Sequence, residues 1–282
     1  MPILPMTSFH RITSATIELK SGSSRVTTRE LQIRISTQIS SFEAGCLFIS
    51  VRRVRFCYTV SMTELIVFDW DDVFTLGSTA GYYKCYHEAL RGVGVTLNPD
   101  EENERIRSKW GSGHAAQLED LLREHPDLVP KAIKLYEEHF FGDTFVDSLD
   151  VVPGSQELVS DLAKDYKLAI ATGGHPQVLK ERILTKFHFP DVFSQIVTIY
   201  DIDDIKHAKP HPYMLEKILE TQQVSFENAV MVGDATNDVL MARAAKVEPI
   251  VVLTGHLDRQ GAEELGVRSI IDKVTDLRSV LT

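Results

Sequence analysis

Four short apolar runs, each ending in residues able to do chemistry, punctuate the chain after residue 63. Leu65-Ile66-Val67-Phe68 runs into Asp69 and Asp71, and Leu168-Ala169-Ile170-Ala171 runs into Thr172-Gly173-Gly174. Ala229-Val230-Met231-Val232 runs into Gly233-Asp234, and Ile250-Val251-Val252-Leu253 into Thr254-Gly255-His256. Unbroken runs of this length read as strands covered on both faces. Residues 195–199 and 269–271 add two more strand candidates. Between them, apolar residues take helical spacing at Met214, Leu215, Ile218 and Leu219, at Leu240, Met241 and Ala244, and from Ala262 to Leu265. Strands alternating with helices predict an α/β fold, a Rossmann-like parallel sheet with helices on both faces. Ligands bind such sheets beyond the carboxyl ends of the strands, where the polar residues stand.

Between residues 78 and 152 the pattern changes. Tyr83, Tyr86 and Leu90 fall on one helical face, as do Leu118, Leu121 and Leu122, and then Ile133, Tyr136 and Phe140. This stretch predicts an all-helical insertion. Its hinges are expected near 76–79 and at Val152-Pro153-Gly154, where small or rigid residues cluster.

Each candidate group also has a plain structural reading. Asp69 and Asp71 suit the end of a strand, and Thr172-Gly173-Gly174 suits an ordinary turn. The same turn can cradle an oxyanion, because backbone N–H groups at glycine approach it without a Cβ in the way. Lys209 lies in Lys209-Pro210-His211-Pro212, where two prolines stiffen the backbone that carries the ammonium. Asp238 stands at the start of a helix, where it can favour the N-terminus electrostatically or face the same point as Asp234.

Their order removes much of that ambiguity. Asp69-Trp70-Asp71-Asp72-Val73, Thr172, Lys209-Pro210, and Gly233-Asp234 with Asp238 resemble the four motifs of the haloacid dehalogenase superfamily, in particular its phosphoglycolate phosphatase and β-phosphoglucomutase-like members with a helical cap. The resemblance runs from about residue 64 to the C-terminus. It implies a core of residues 63–77 and 153–282 and a cap of residues 78–152. It further implies Asp69 as nucleophile, Asp71 as general acid and base, and Thr172, Gly173 and Lys209 as phosphate-binding groups. Mg2+ is the implied cofactor, held by Asp69, the backbone carbonyl of Asp71, Asp234 and Asp238.

The expected function is a phosphatase that hydrolyses a small phosphorylated metabolite through an aspartyl-phosphate. A phosphomutase returning the same intermediate to a sugar is the alternative enzyme. A binding or regulatory protein that keeps the fold without turnover is the alternative outside enzymes. Dehalogenases of the superfamily lack an acid at the second aspartate position and need no metal, so Asp71 favours phosphoryl transfer. One residue departs from the family pattern: Asp72 stands where glycine is usual, and Asp tolerates the left-handed backbone region better than most residues. In the insertion, Lys109-Trp110-Gly111-Ser112-Gly113-His114 is a candidate substrate loop. Arg107, Lys109, His114 and His175 are candidates for substrate specificity.

Charge and composition narrow the partners. The chain of 282 residues carries a formal net charge of −10. Residues 1–62 hold eight Lys/Arg and three Asp/Glu, leaving 22 basic against 37 acidic side chains in the remainder. An acidic body repels nucleic-acid backbones. No apolar stretch approaches the ~20 residues of a membrane span. Cys46, Cys57 and Cys85 form neither a disulfide framework nor a zinc pattern, which suits a reducing compartment and a cytoplasmic protein. Residues 1–62, rich in Ser, Thr and Arg, read as a poorly ordered extension, either ahead of a true start at Met62 or as an organellar transit segment. Only Leu31-Gln32-Ile33-Arg34-Ile35 alternates there like a strand.

Overall fold

The computed structural model describes residues 39–43, 46–51, 54–59, 63–109 and 113–281, the first three ranges as backbone strands only. The chain divides into two units at Val60/Ser61. In the first, β1 (Ile39–Glu43), β2 (Cys46–Val51) and β3 (Val54–Thr59) pair antiparallel in chain order, with an irregularity between Ile39 and Ser41. β-branched and aromatic residues in CLFISV and VRFCYT favour the strands. The strand expected at 31–35 lies outside the described residues.

The second unit is built on a six-stranded parallel sheet. Its strands are β4 (Leu65–Phe68), β7 (Lys167–Thr172), β8 (Phe193–Thr198), β9 (Ala229–Gly233), β10 (Glu248–Val252) and β11 (Ser269–Ile271), in the order β11-β10-β9-β4-β7-β8. All five pairings are parallel. The strand read at 195–199 thus begins two residues earlier, and Ile199 opens a 3-10 turn instead.

The unbroken apolar runs are explained by burial on both faces. Ile66 and Phe68 of β4 join Leu168, Ile170, Val230 and Val232 in one core, while Leu65 and Val67 join Ala169, Ala171, Ala229 and Met231 in another. The first face is covered by α6 (Ser155–Leu162) through Val159 and Leu162 and by Val178, Leu179 and Ile183 of a π-helical stretch, Val178–Ile183. The second is covered by α8 (Tyr213–Gln222) through Met214, Leu215 and Ile218, and by α9 (Thr236–Ala244) through Met241 and Ala242. Each fully buried Leu or Ile contributes roughly 1.5–3 kcal/mol of transfer free energy, which fixes the sheet between its two helical layers. The last elements are α7 (Leu184–Lys186) after the π-helical stretch and α10 (Arg259–Glu264) between β10 and β11.

The expected helical insertion is present as a cap. A two-stranded ribbon of β5 (Thr75–Leu76) and β6 (Asp150–Val151) carries it. Between them come α1 (Ser78–Gly92), α2 (Pro99–Ser108), α3 (His114–Leu121), α4 (Val129–Phe141) and α5 (Asp143–Val146). Gly77 and Gly154 bracket the ribbon at φ 86° and 85°. A Cβ at Gly77 would lie 2.7 Å from the Ser148 carbonyl oxygen, so that turn admits glycine on two counts. At the far side the cap is tied to the core by Arg182, which donates to the Phe141 carbonyl and pairs with Asp143, and by Lys186, which donates to the Val146 carbonyl at 2.9 Å and pairs with Asp147 at 2.8 Å.

Candidate active site

Register brings the polar ends of the runs together. Phe68 of β4 is level with Ile170 of β7 and Val232 of β9, so Asp69, Thr172 and Asp234 all emerge at the carboxyl edge of three adjacent strands. From β4 the chain proceeds to β7 and β8 on one side and returns to β9 on the other. This reversal opens a crevice at Asp69. The Asp69 N–H is anchored to the Val232 carbonyl at 2.8 Å, and one carboxylate oxygen accepts from the Trp70 N–H at 2.7 Å.

Lys209 enters from the loop before α8, across a cis Lys209–Pro210 peptide. Its Nζ lies 2.9 Å from Asp69 Oδ1 and 2.8 Å from Asp238 Oδ1, and all three side chains are largely buried. Burial opposes the ammonium, yet the Asp238 and Asp69 carboxylates outweigh it and hold its pKa above the usual lysine value. Asp238 also serves its helix: its Oδ2 accepts from the Ala235 N–H at 3.1 Å in the first turn of α9. Asp238 thus faces Lys209 with one oxygen and the start of its own helix with the other.

Asp234 is buried beside this pair, accepting from the His256 backbone N–H at 2.9 Å. Two glycines make the room. A Cβ at Gly255 would lie 1.9 Å from Asp234 Oδ2, and one at Gly233 would lie 2.4 Å from the Asp238 carboxyl carbon. Burial, then Asp69, then Asp238 push Asp234 up to about 8. Asp238 is pushed up to about 6 by burial, against the pull of Lys209.

One ligand atom each from Asp69, Asp234 and Asp238 can lie within 4.8 Å of one another. Three carboxylates this close, two with raised pKa values, form a hard-oxygen set that suits a divalent cation such as Mg2+. Asp72, Asp234 and His256 form a second such group, which motif spacing along the chain did not suggest.

Asp71 points the other way, toward the cap. Asp71 is half-buried, and burial, then Asp69, then Asp72 push its carboxyl up to about 7, against the Ser78 hydroxyl and Lys209, which favour the charged form. The Tyr82 hydroxyl of α1 donates to Asp71 Oδ2 at 3.4 Å. Thr172 is buried at the end of β7 and its Oγ1 accepts from the Gly174 N–H at 3.0 Å, leaving its own proton to donate. The space beside Gly173 is open. Asp72 adopts φ 55°, the left-handed conformation expected at a glycine position. Its carbonyl accepts from the Thr254 hydroxyl at 2.5 Å.

A family model for haloacid dehalogenase-like hydrolases matches residues 63–246. The chain belongs to that family. Over 157 residues, 55% of this chain and 70% of the relative, it is 31% identical to pyrophosphatase PpaX of Bacillus mycoides. Among solved structures it resembles a predicted phosphoglycolate phosphatase from Haemophilus somnus, with a TM-score of 0.65 and 18% identity over 79% of this chain and all of that one. It also resembles a subfamily IA hydrolase from Geobacter sulfurreducens, with a TM-score of 0.60 and 20% identity over 78% of this chain and 97% of that one.

The specificity candidates of this hydrolase divide. His114 opens α3, stacks on the Tyr136 ring at 5.0 Å and lies 3.4 Å from Glu137. His175 lies 4.8 Å from the Phe141 ring of the cap and 4.4 Å from the Tyr200 ring. Burial, then the charge of His114, lowers its pKa. Arg107 and Lys109 are exposed; Arg107 Nε donates back to the Asn103 carbonyl of its own helix. Trp110, Gly111 and Ser112 of the proposed loop lie outside the described residues.

Sequence reasoning placed Thr254-Gly255-His256 at the end of a strand and missed Tyr82. For Tyr82 the available signal was its spacing four residues after Ser78, on one face of a cap helix. Among the described residues no helix is long and apolar enough to cross a membrane.

Proposed function

We propose that this hydrolase is a magnesium-dependent phosphatase acting on a small phosphorylated metabolite through an aspartyl-phosphate on Asp69. The observation that carries the reading is the convergence of Lys209 on Asp69 and Asp238, at 2.9 and 2.8 Å, beside Asp234. Asp69, Asp234, Asp238 and the backbone carbonyl of Asp71 would hold the cation. When bound, it supplies positive charge that offsets the repulsion between a phosphate dianion and a carboxylate.

The chain's own groups divide the work. Lys209, the Thr172 hydroxyl and the Gly173 N–H bind phosphoryl oxygens. An Asp69 oxygen forms a bond to phosphorus as the ester P–O bond breaks, and Asp71 gives its proton to the departing alcohol oxygen. With its pKa pushed up to about 7, Asp71 holds that proton in a large fraction of molecules near neutrality. The resulting Asp71 carboxylate then takes a proton from water, whose oxygen attacks phosphorus and releases Asp69 and inorganic phosphate. The cap closes over the crevice and excludes bulk water, with the ribbon of β5 and β6 and its flanking glycines as hinge. His114 and His175, near one another at the boundary of cap and core, are the groups best placed to select the leaving group. Arg107 and Lys109, both exposed, have less support.

The test is release of inorganic phosphate from phosphoglycolate, sugar phosphates and inorganic pyrophosphate, the last prompted by the similarity to the Bacillus mycoides pyrophosphatase, with Mg2+ and with EDTA. Turnover should require the metal, and Asp69→Asn should lower it on the order of a thousandfold or more without unfolding the protein. Appreciable turnover by Asp69→Asn would overturn the scheme. Formation of a phosphorylated isomer in place of free phosphate would make the protein a mutase. Inertness toward every substrate, activated aryl phosphates included, would make it a binding protein.

A further inference from the structure

The first turn of α1 faces Asp71 with two hydroxyls. Ser78 and Tyr82 stand four residues apart on the helix, hence on one face. The Ser78 hydroxyl favours the charged form of Asp71, and its oxygen lies 3.1 Å from the Thr75 hydroxyl. The Tyr82 hydroxyl meets Asp71 Oδ2 at 3.4 Å. The Tyr82 ring is fixed by the Phe140 ring, stacked at 5.7 Å, and by the Phe145 ring at 4.6 Å. Burial, with the Asp71 charge next, keeps its phenol protonated. A neutral phenol can donate to Asp71 throughout the working pH range.

We infer that Tyr82 is a positioning residue for the acid: by donating to Asp71 Oδ2 it leaves the transferable proton on Oδ1 and aims that oxygen at the departing alcohol. The inference rests on the phosphatase reading and extends it. In the first step the proton moves from Asp71 Oδ1 to the leaving oxygen as the P–O bond breaks, and the Tyr82 hydrogen bond remains to stabilise the new carboxylate. Tyr82 neither gains nor loses a proton. Because Tyr82 belongs to the cap, seating of α1 against the core completes the acid.

The experiment compares two leaving groups. 4-Nitrophenol departs with little need of a proton, whereas the alkoxide of glycerol 2-phosphate needs one. Tyr82→Phe is expected to lower kcat on glycerol 2-phosphate about tenfold, with a much smaller loss on 4-nitrophenyl phosphate and little change in either KM. Asp71→Asn, which also loses the base that hydrolyses the shared aspartyl-phosphate, should show the same preference more strongly in kcat/KM, which reports formation of that intermediate and not its hydrolysis. Circular dichroism and thermal melting report that each variant is folded. Equal losses on both esters for Tyr82→Phe, or a change confined to KM, would reduce Tyr82 to packing and overturn the inference. If Asp71→Asn shows no preference in kcat/KM, the phosphatase scheme fails; if Asp71→Asn shows it and Tyr82→Phe does not, only the role of Tyr82 fails.

Discussion

Lys209 and Asp238 form a buried ion pair 2.8 Å long, with the cation on a loop and the anion in the first turn of α9. The same ammonium lies 2.9 Å from Asp69, so one cation compensates two carboxylates while Asp234 crowds the site from a third side. Removing one partner of a buried pair strands the other charge. Lys209→Ala should therefore destabilise the metal-free protein by on the order of 3 kcal/mol, read as a lower urea midpoint in EDTA at pH 8. Saturating Mg2+ should return part of the loss, since binding only the folded state stabilises it. An unchanged midpoint in EDTA would refute this account of the pair.

Asp234 sets a pH dependence of opposite sense to that of a paired surface carboxylate. Its folded pKa, pushed up to about 8 by burial, then Asp69, then Asp238, exceeds its ordinary value of 3.8. Its contribution to stability is therefore fully present below about 4 and is lost as pH rises through about 8. Asp71, at about 7, adds to the same slope. Metal-free protein should have a lower melting temperature at pH 9 than at pH 6. Asp234→Asn should flatten that difference, raise stability at pH 9 by a few kcal/mol at most, and abolish tight Mg2+ binding. Scanning calorimetry across pH 6–9 with EDTA reads the first two effects. A wild-type melting temperature that rises over this range would count against the assignment.

Asp72 combines a backbone feature and a charge, and Asp72→Gly separates them. Glycine adopts φ 55° without the left-handed penalty and keeps the carbonyl that accepts from Thr254, so stability should hold or rise by about 1 kcal/mol. The lost carboxylate is one of three groups that can meet within 4.8 Å, with Asp234 and His256. Its removal should weaken Mg2+ binding by a few-fold, about 1 kcal/mol or less, measured by titration calorimetry. An unchanged dissociation constant would show that Asp72 acts through its backbone alone.

The sequence by itself determined the sheet and the chemical kinds of group at its edge. Continuous runs such as Leu65–Phe68 and Ala229–Gly233, short and bounded by turn residues, read as strands covered on both faces, and the structure covers them with two separate cores. Asp69, Thr172, Lys209 and Asp234 were visible because each follows or precedes a local pattern. What only the tertiary structure decided are relations between elements far apart in the chain. Tyr82 reaches Asp71 because the cap folds back over the strand that precedes it, and helical periodicity records which face of α1 is apolar without recording what the other side chains meet. Gly255 leaves room for Asp234 because β10 lies beside β9, and no local propensity encodes that neighbour. Local patterns arise from nearest-neighbour backbone physics, whereas carboxylates crowded to raised pKa values arise from packing, burial and Coulomb interactions across the sheet.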